Sequence, residues 1–229
     1  MVSIVIPAFN EEATVADVVR AALSYGGAKQ VIVVDDGSTD KTADAARASG
    51  AMVIRLEQNS GKARAMDAGV RAATSDVIVF LDADVTGLDA ERISRIAGPV
   101  IRGEKEMYVG IRARKTIMLN SVLHLFPILG GERAITRALW EAVPKRRKKG
   151  FEIEIALNHA AKSTTKGMGF ELVPGIKNTI KEKKYGLVLG FLRRLRMIWQ
   201  IACVSFDIYA LEQLKAGTLR LKKVFVAAE

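Results

Sequence analysis

Apolar residues in the first hundred positions follow two alternating patterns. Unbroken runs rich in Val and Ile predict buried β-strands at 2–7, 31–36, 52–56 and 76–84. The segments between these runs place apolar residues at helical spacing, as 12–24 does before the second run. Strands without polar alternation are covered on both faces. The pattern therefore predicts an α/β fold with a mainly parallel central sheet and helices on both faces.

Polar side chains stand where three of the predicted strands end. They are Asn10 and Glu11, Asp35 and Asp36, and Asp82 and Asp84. Ligands of such sheets bind beyond the carboxyl ends of the strands, and so many acidic groups repel one another unless a cation or polar ligand offsets them. The pair Asp82 and Asp84 would aim two hard oxygen ligands to one side, which suits Mg²⁺ or Mn²⁺. Taken singly, Asp36 or Asp40 is better explained as a helix cap, and Asp84 could cap the next helix from a solvated turn.

The 229-residue chain has a formal net charge of +10, and its charges are unevenly distributed. Residues 1–100 hold 10 Lys/Arg and 14 Asp/Glu, whereas residues 101–229 hold 25 Lys/Arg and 11 Asp/Glu. A strongly basic second half indicates an anionic partner, which could be a phosphorylated substrate, an anionic membrane surface or nucleic acid. A well-solvated surface is the alternative explanation of the same excess.

Several functional classes are excluded by what the sequence lacks. One cysteine and two histidines exclude a disulfide framework, a Cys-rich zinc site and an all-histidine metal centre. Neither GxxxxGKS/T nor GxGxxG follows a predicted strand, which argues against a P-loop NTPase and a dinucleotide dehydrogenase. The first apolar run has no basic region before it and is interrupted by Pro7, so we expect a cytoplasmic protein.

Four ordered motifs carry a resemblance to a known family. They are IPAFNEE (6–12), VDDGSTDKT (34–42), NSGKARAMDAG (59–69) and VIVFLDADV (77–85). Together they resemble the donor-binding half of family 2 glycosyltransferases with the GT-A fold. The resemblance implies a nucleotide-sugar donor and a divalent metal, Mg²⁺ or Mn²⁺, held on the donor diphosphate by Asp82 and Asp84.

The resemblance also implies which residues bind the donor. By position in the motifs they are Pro7, Ala8, Asn10, Glu11, Asp36, Lys62, Asp82, Ala83 and Asp84. MYVGIRARK (107–115) resembles a strand end of dolichyl-phosphate mannose synthases, in which an arginine contacts the donor phosphates; here that residue is Arg112. Asp84 and Arg112 are therefore expected in catalysis.

The acceptor side is expected further along the chain. GGERAITRALWEAVP (130–144) and GFEIEIALN (150–158) are similar to the family's acceptor-binding region, which implies roles for Gly131 and Arg133 and a general base at Glu152 or Glu154. On a strand the two glutamates would share one face, but on a helix they would point about 200° apart. Only one would then face the substrate, and the sequence does not say which. The other would pair with the basic run KRRKK.

The C-terminal part resembles polyprenyl-phosphate sugar synthases. A phosphate acceptor needs cations more than a base, and Lys181 and Lys184 would supply them. The apolar stretches within 187–211 are too short to span a bilayer. Their mixture with basic residues and a tryptophan favours amphipathic helices in the interface of an anionic membrane, and a core-packed helix is the alternative. We expect a donor half at 1–115, an acceptor half at 116–186 and this helical segment at 187–229.

These features predict a metal-dependent, inverting glycosyltransferase. It would move mannose or glucose from a GDP- or UDP-sugar to a polyprenyl or dolichyl phosphate at the cytoplasmic membrane face. Within the class, the alternative is a soluble hydroxyl acceptor such as a sugar acid or phosphorylated polyol. A sugar nucleotidyltransferase would place a glycine-rich basic loop where this chain has an acidic turn. A nucleic-acid-binding module would show a recognised motif and more aromatic residues than 6%, so we expect no nucleic-acid partner. A noncatalytic scaffold is a further alternative, and the oligomeric state is not predicted.

Overall fold

The structure is a computed structural model that describes residues 1–112, 130–150 and 152–178, which belong to one compact unit. The strands are β1 (Val2–Ala8), β2 (Ala28–Asp35), β3 (Met52–Arg55), β4 (Val77–Phe80), β5 (Val85–Thr86), β6 (Met107–Arg112), β7 (Arg133–Thr136), β8 (Met168–Val173) and β9 (Lys177–Asn178). The helices are α1 (Val15–Ser24), α2 (Thr42–Ala48), α3 (Lys62–Ala72), α4 (Ala90–Ile101), α5 (Arg137–Ala142) and α6 (Glu152–Lys162), with a short 3₁₀ turn at Lys145–Arg147.

Seven strands form one sheet in the order β3-β2-β1-β4-β7-β6-β8. Strands β1 to β4 pair in parallel, and β6 pairs in parallel with β8. Strand β7 runs antiparallel to both of its neighbours. The prediction of a mainly parallel sheet is therefore confirmed, and so are the four strands expected from the apolar runs.

Helices cover both faces of the sheet, as the unbroken apolar runs predict. One face packs against α1 and α4, where Val19 and Ile96 are fully buried. The other face packs against α3, α5 and α6, through residues such as Met66, Trp140 and Leu157. Because both faces lie in the core, polar functional groups are confined to the ends of the strands.

The run predicted as one strand at 76–84 differs from the structure. Strand β4 ends at Phe80, and Val85–Thr86 form a separate strand that pairs antiparallel with β9 in a second, two-stranded sheet. Asp82 and Asp84 therefore lie in the connection between two sheets and not on a strand. The Thr14 hydroxyl donates to the Ala83 carbonyl oxygen at 2.7 Å, which anchors this connection to the start of α1.

The predicted C-terminal features lie outside the described residues. They include Lys181, Lys184 and the amphipathic segment 187–229. Among the residues that the structure does describe, no helix is both long and apolar enough to span a bilayer. The boundaries predicted between the donor half, the acceptor half and the helical segment stay predictions.

Candidate functional site

A row of alternating charges lies at the carboxyl ends of the central strands. In order of contact its members are Arg133, Glu154, Lys62, Asp82, Arg112 and Glu132, and we call them the charge cluster. They come from both halves of the sequence and five separate parts of the fold. Three cations and three anions balance one another, so the cluster can remain charged in a largely buried place.

Asp82 stands at the centre of this row. Its Oδ1 accepts a hydrogen bond from Lys62 Nζ at 2.8 Å, and its Oδ2 accepts one from Arg112 Nη2 at 2.6 Å. Burial alone would raise the pKa of Asp82, but the charges of Lys62 and Arg112 outweigh burial and lower it. The Gly131 backbone lies against the same carboxylate, since a Cβ built on Gly131 would be 1.9 Å from Oδ2. Any larger residue would displace Asp82.

Glu132 is a member of the cluster that sequence reasoning missed. It is fully buried and accepts two hydrogen bonds from Arg112, from Nε at 3.0 Å and from Nη2 at 2.5 Å. Burial raises its pKa, and the neighbouring charge of Asp82 adds to the rise. The GGER motif could have pointed to it, because Glu132 lies between Gly131 and Arg133, the two residues predicted to bind the acceptor. Its carboxylate fixes the direction in which the Arg112 fork points.

The titration of Glu132 gives a testable pH dependence. Its pKa in the folded protein lies above the ordinary value of 4.5, so over the interval between them the folded protein keeps a proton that the unfolded chain has lost. Stability therefore falls as pH rises through that interval. Because Gln does not titrate, the wild type should lose unfolding free energy relative to Glu132→Gln as the pH rises above about 5. A series of urea unfolding curves from about pH 5 upward measures this, and a wild type that gains stability relative to the variant contradicts it.

The two candidate general bases occupy different environments. Both lie on α6, whose first residue is Glu152. Glu154 is buried, with Oε1 3.3 Å from Lys62 Nζ and Oε2 3.5 Å from Arg133 Nη2. The Glu152 carboxylate instead lies 3.8 Å from Arg147 Nη1, within the basic run. The structure thus brings Glu154 into the charge cluster and leaves Glu152 at the surface, as expected for one of the pair.

Lys62 joins the two acidic parts of the cluster. Burial would lower its pKa, but Asp82 and Glu154 more than compensate and raise it, so the ammonium group stays charged. Its place at the start of α3 depends on Asp36, whose carboxylate oxygens accept hydrogen bonds from the Ser60 and Gly61 backbone N–H groups, both at 2.8 Å. Asp36 is predicted to face the base of the donor; here both of its oxygens hold the turn before α3.

The first two motifs are joined to each other by hydrogen bonds. The Asn10 backbone N–H donates to the Ser38 hydroxyl, and Asn10 Oδ1 accepts from the Thr39 N–H. The Glu11 N–H donates to the Thr42 hydroxyl at 2.8 Å. These hydrogen bonds join the loop after β1 to the loop after β2. The remaining predicted donor residues of this region, Pro7 and Ala8, end β1.

Arg133, predicted to bind the acceptor, is buried. Only 1% of it is exposed, and its Nε and Nη2 donate to the Gly130 carbonyl oxygen at 3.0 and 2.6 Å. It therefore holds the loop that places Gly131 against Asp82. Gly131, the other residue predicted to bind the acceptor, contacts Asp82 through its backbone.

The contacts of Asp82 and Asp84, which follow β4, show whether this pair could bind a metal ion. Asp82 contacts Lys62 and Arg112 through its two oxygens, and Asp84 is half-buried in the same connection. Within the described ranges no three His, Cys, Asp or Glu side chains are grouped as a metal cage. Mg²⁺ and Mn²⁺ commonly keep waters and bind substrate phosphates with one or two protein carboxylates. The two carboxylates Asp82 and Asp84 therefore fit Mg²⁺ or Mn²⁺.

Comparison with known proteins decides the family. The model of glycosyl transferase family 2 matches residues 3–133, more than half of the chain. The chain belongs to this family. The resemblance drawn from the four motifs is thereby confirmed, together with the GT-A fold.

The relatives of this chain include enzymes whose names point to different acceptors. Glucosyl-3-phosphoglycerate synthase of Mycobacterium tuberculosis is 33% identical over 141 residues, covering 58% of this chain and 44% of the relative. The same enzyme of Mycolicibacterium smegmatis is 31% identical over 190 residues, covering 68% and 62%. Undecaprenyl-phosphate 4-deoxy-4-formamido-L-arabinose transferase of Pseudomonas aeruginosa is 35% identical over 113 residues, covering 45% and 33%. The chain thus spans less than two thirds of the length of these relatives.

Several solved structures share the fold of this chain. Glucosyl-3-phosphoglycerate synthase of M. tuberculosis superposes with a TM-score of 0.65 at 28% identity, covering 76% of this chain and 70% of that one. The same enzyme in complex with Mn²⁺ and UDP-glucose gives a TM-score of 0.65 at 26% identity, covering 79% and 71%. The names of the relatives support the alternative of a soluble acceptor better than the expected polyprenyl phosphate.

Proposed function

We propose that this chain transfers a hexose, glucose first among the candidates, from a UDP-sugar to the hydroxyl of a small phosphorylated acid such as phosphoglycerate. The observation that carries the proposal is the charge cluster, which sets cations and a buried carboxylate side by side where a GT-A sheet binds its substrates. The mycobacterial glucosyl-3-phosphoglycerate synthases support the choice of donor and acceptor.

The donor side of the proposal rests on Lys62 and Arg112. Transfer of the sugar leaves a nucleoside diphosphate, and cations that stabilise its growing negative charge lower the barrier. Arg112 presents a planar fork already oriented by Glu132, which suits a phosphate group. Mg²⁺ or Mn²⁺, held by Asp84 together with Asp82, would add positive charge at the same diphosphate. Lys62 and Arg112 thus neutralise Asp82 and lie within reach of the leaving group.

The acceptor side rests on Glu154. A neutral hydroxyl attacks a sugar more readily when a nearby group takes its proton. Glu154 is the carboxylate that the fold brings next to Lys62, and Arg133 holds its second oxygen in place. In this proposal Glu154 orients the acceptor hydroxyl and accepts its proton, while Glu152 takes no part. The stereochemical outcome, expected to be inversion, stays a prediction.

A second candidate acceptor is a polyprenyl phosphate at a membrane surface. The P. aeruginosa relative carries undecaprenyl phosphate in its name. The basic run Lys145–Lys149 is also exposed at Lys145, Arg146 and Lys149, and such residues attract anionic lipids. A phosphate acceptor is already ionised, so it would depend on cations, Lys181 and Lys184 among them, more than on Glu154. A peripheral place at the cytoplasmic face belongs to this candidate.

A ligand screen followed by a transfer assay tests both candidates. Thermal unfolding would be followed with UDP-glucose, GDP-mannose and the free diphosphates, each with and without Mn²⁺. Ligand at about 100 times its Kd should raise Tm by about 5 °C or more. We expect that rise for UDP-glucose with Mn²⁺, and transfer to 3-phosphoglycerate but not to undecaprenyl phosphate in vesicles. Transfer to the lipid alone would replace the proposed acceptor, and no shift with any donor would contradict the proposal.

A further inference from the structure

Within the described residues, strand β8 is an edge strand of the seven-stranded sheet, and it exposes apolar side chains on one face of that sheet. It pairs with β6 on one side. On the sheet face that packs against α6, Phe170 and Leu172 are 48% and 50% exposed, beside the half-buried Met168. Edge strands usually carry a proline, an unpaired charge or a covering element that prevents further pairing. Residues 168–173 contain no proline, and their single charge, Glu171, is paired with Arg95 at 3.0 Å.

The opposite face of β8 carries complementary charges. Glu171 points to this face, and two positions earlier the strand has Gly169. The space beside Gly169 is bounded by the Tyr108 ring and by the Lys105 side chain, whose Cε would lie 3.7 Å from a Cβ on Gly169. A cationic side chain therefore lies next to a residue that has no side chain of its own.

One antiparallel register makes β8 complementary to itself. With Phe170 opposite Phe170, Met168 faces Leu172, so the apolar positions of both copies coincide. The same register sets Glu171 of one copy opposite Gly169 of the other, where Lys105 lies. Of the two neighbouring registers, one sets Glu171 opposite Glu171, where like charges repel, and the other sets Leu172 opposite Lys166, which lies outside the strand. Residue size, polarity and charge thus favour a single pairing.

We propose that two copies of the chain associate through β8, in antiparallel register with Phe170 on the two-fold axis. The two sheets then form one continuous sheet across the dimer, and the same patch is used by both subunits. The pairing leaves the charge cluster of each subunit complete in its own chain, so this proposal is independent of the proposed function. Because the strand contact spans six residues, the dimer should be reversible and depend on protein concentration.

Sedimentation velocity over a wide range of protein concentrations tests the association. The wild type should shift from monomer to dimer, and Phe170→Glu should raise the dissociation constant at least tenfold. Leu23→Glu is the matched control, since Leu23 is 47% exposed on α1 and lies outside the proposed interface. Both variants should keep the circular dichroism and Tm of a folded protein. A wild type that stays monomeric throughout, or a Phe170→Glu variant that still dimerises like the control, would overturn the proposal.

Cysteine cross-linking tests the register. In a Cys203→Ser background, Phe170→Cys sets two thiols directly opposite each other, at a Cα separation of about 4.5–5.5 Å that a disulfide can bridge. Mild oxidation with oxidised glutathione should link this variant into covalent dimers. Glu171→Cys, one residue away, should stay monomeric on a reducing-agent-free gel. Efficient linkage through position 171 would overturn the register, and linkage through neither position would overturn the interface.

Discussion

Replacing Asp84 with asparagine is expected to lower hexose transfer by about 10³-fold or more. The substitution keeps the size of the side chain but removes the charge that would hold a divalent ion, and loss of such an ion costs several kcal/mol of transition-state stabilisation. Asp82 does not replace it, because both Asp82 oxygens are engaged by Lys62 and Arg112. Initial rates at saturating UDP-sugar, together with Mn²⁺ titration by calorimetry, measure the effect.

The control for Asp84→Asn is Asp89→Asn in the same stretch of chain. Asp89 caps α4 through a hydrogen bond from the Arg92 N–H to Oδ1 at 2.9 Å, and asparagine caps helices equally well. Its ion pair with Arg92 is partly exposed and contributes little. This variant should keep its rate within about twofold. An Asp84→Asn enzyme that retains full rate in the presence of a chelator would remove the metal from the mechanism.

The central strands and the family could be read from the sequence because their signals are local. The apolar runs that begin at Val2 and Val31 match strands that are largely buried, and the run at Met52 matches β3, a half-buried to exposed strand at the edge of the sheet. The run at 76–84 was less informative, since it ends in two carboxylates, Asp82 and Asp84, that burial inside a sheet does not tolerate. The chain therefore leaves the sheet after Phe80, and Asp82 contacts Lys62 of α3 and Arg112 of β6 from the connection that follows.

The partners of the charged residues could not be read in this way, because they are distant in sequence. Lys62 and Glu154 are 92 positions apart, and only the packing of α3 beside α6 brings them together. Helical periodicity also treats the two candidate bases alike, since Glu152 and Glu154 flank the buried Ile153 at equal angles. The choice depends on what lies on each side of α6: Lys62 on one and Arg147 on the other.

A neutral charge cluster explains why the site can exist without its substrates. Buried ions are costly unless each is paired, and here every carboxylate contacts at least one cation. A dianionic diphosphate entering this row would compete with Asp82 and Glu154 for Lys62 and Arg112. Binding of the donor is therefore expected to loosen the Lys62–Glu154 contact, which has a length of 3.3 Å and is the weaker of the two that Lys62 makes. That release would leave Glu154 available to an acceptor.

The pair Glu154→Gln and Glu152→Gln should separate the two acceptor candidates. Gln at position 154 keeps the shape and can still accept a hydrogen bond from Lys62, but it cannot take a proton. With a hydroxyl acceptor, kcat should fall by about 10²–10⁴-fold, the usual contribution of a general base. The KM for UDP-sugar should change little, because Lys62 and Arg112 remain. Glu152→Gln loses only a 3.8 Å contact with Arg147 at the surface and should keep kcat within about twofold.

Steady-state kinetics with each acceptor completes the comparison. A phosphate acceptor needs no base, so transfer to a polyprenyl phosphate should fall less than about tenfold in Glu154→Gln, while transfer to 3-phosphoglycerate falls by the larger factor. Because loss of the Glu154 charge also leaves Lys62 and Arg133 less well balanced, Tm is measured alongside to separate a folding defect from a chemical one. If Glu152→Gln lost as much activity as Glu154→Gln in folded protein, Glu154 would not be the base, and the orientation of α6 would not select the catalytic carboxylate.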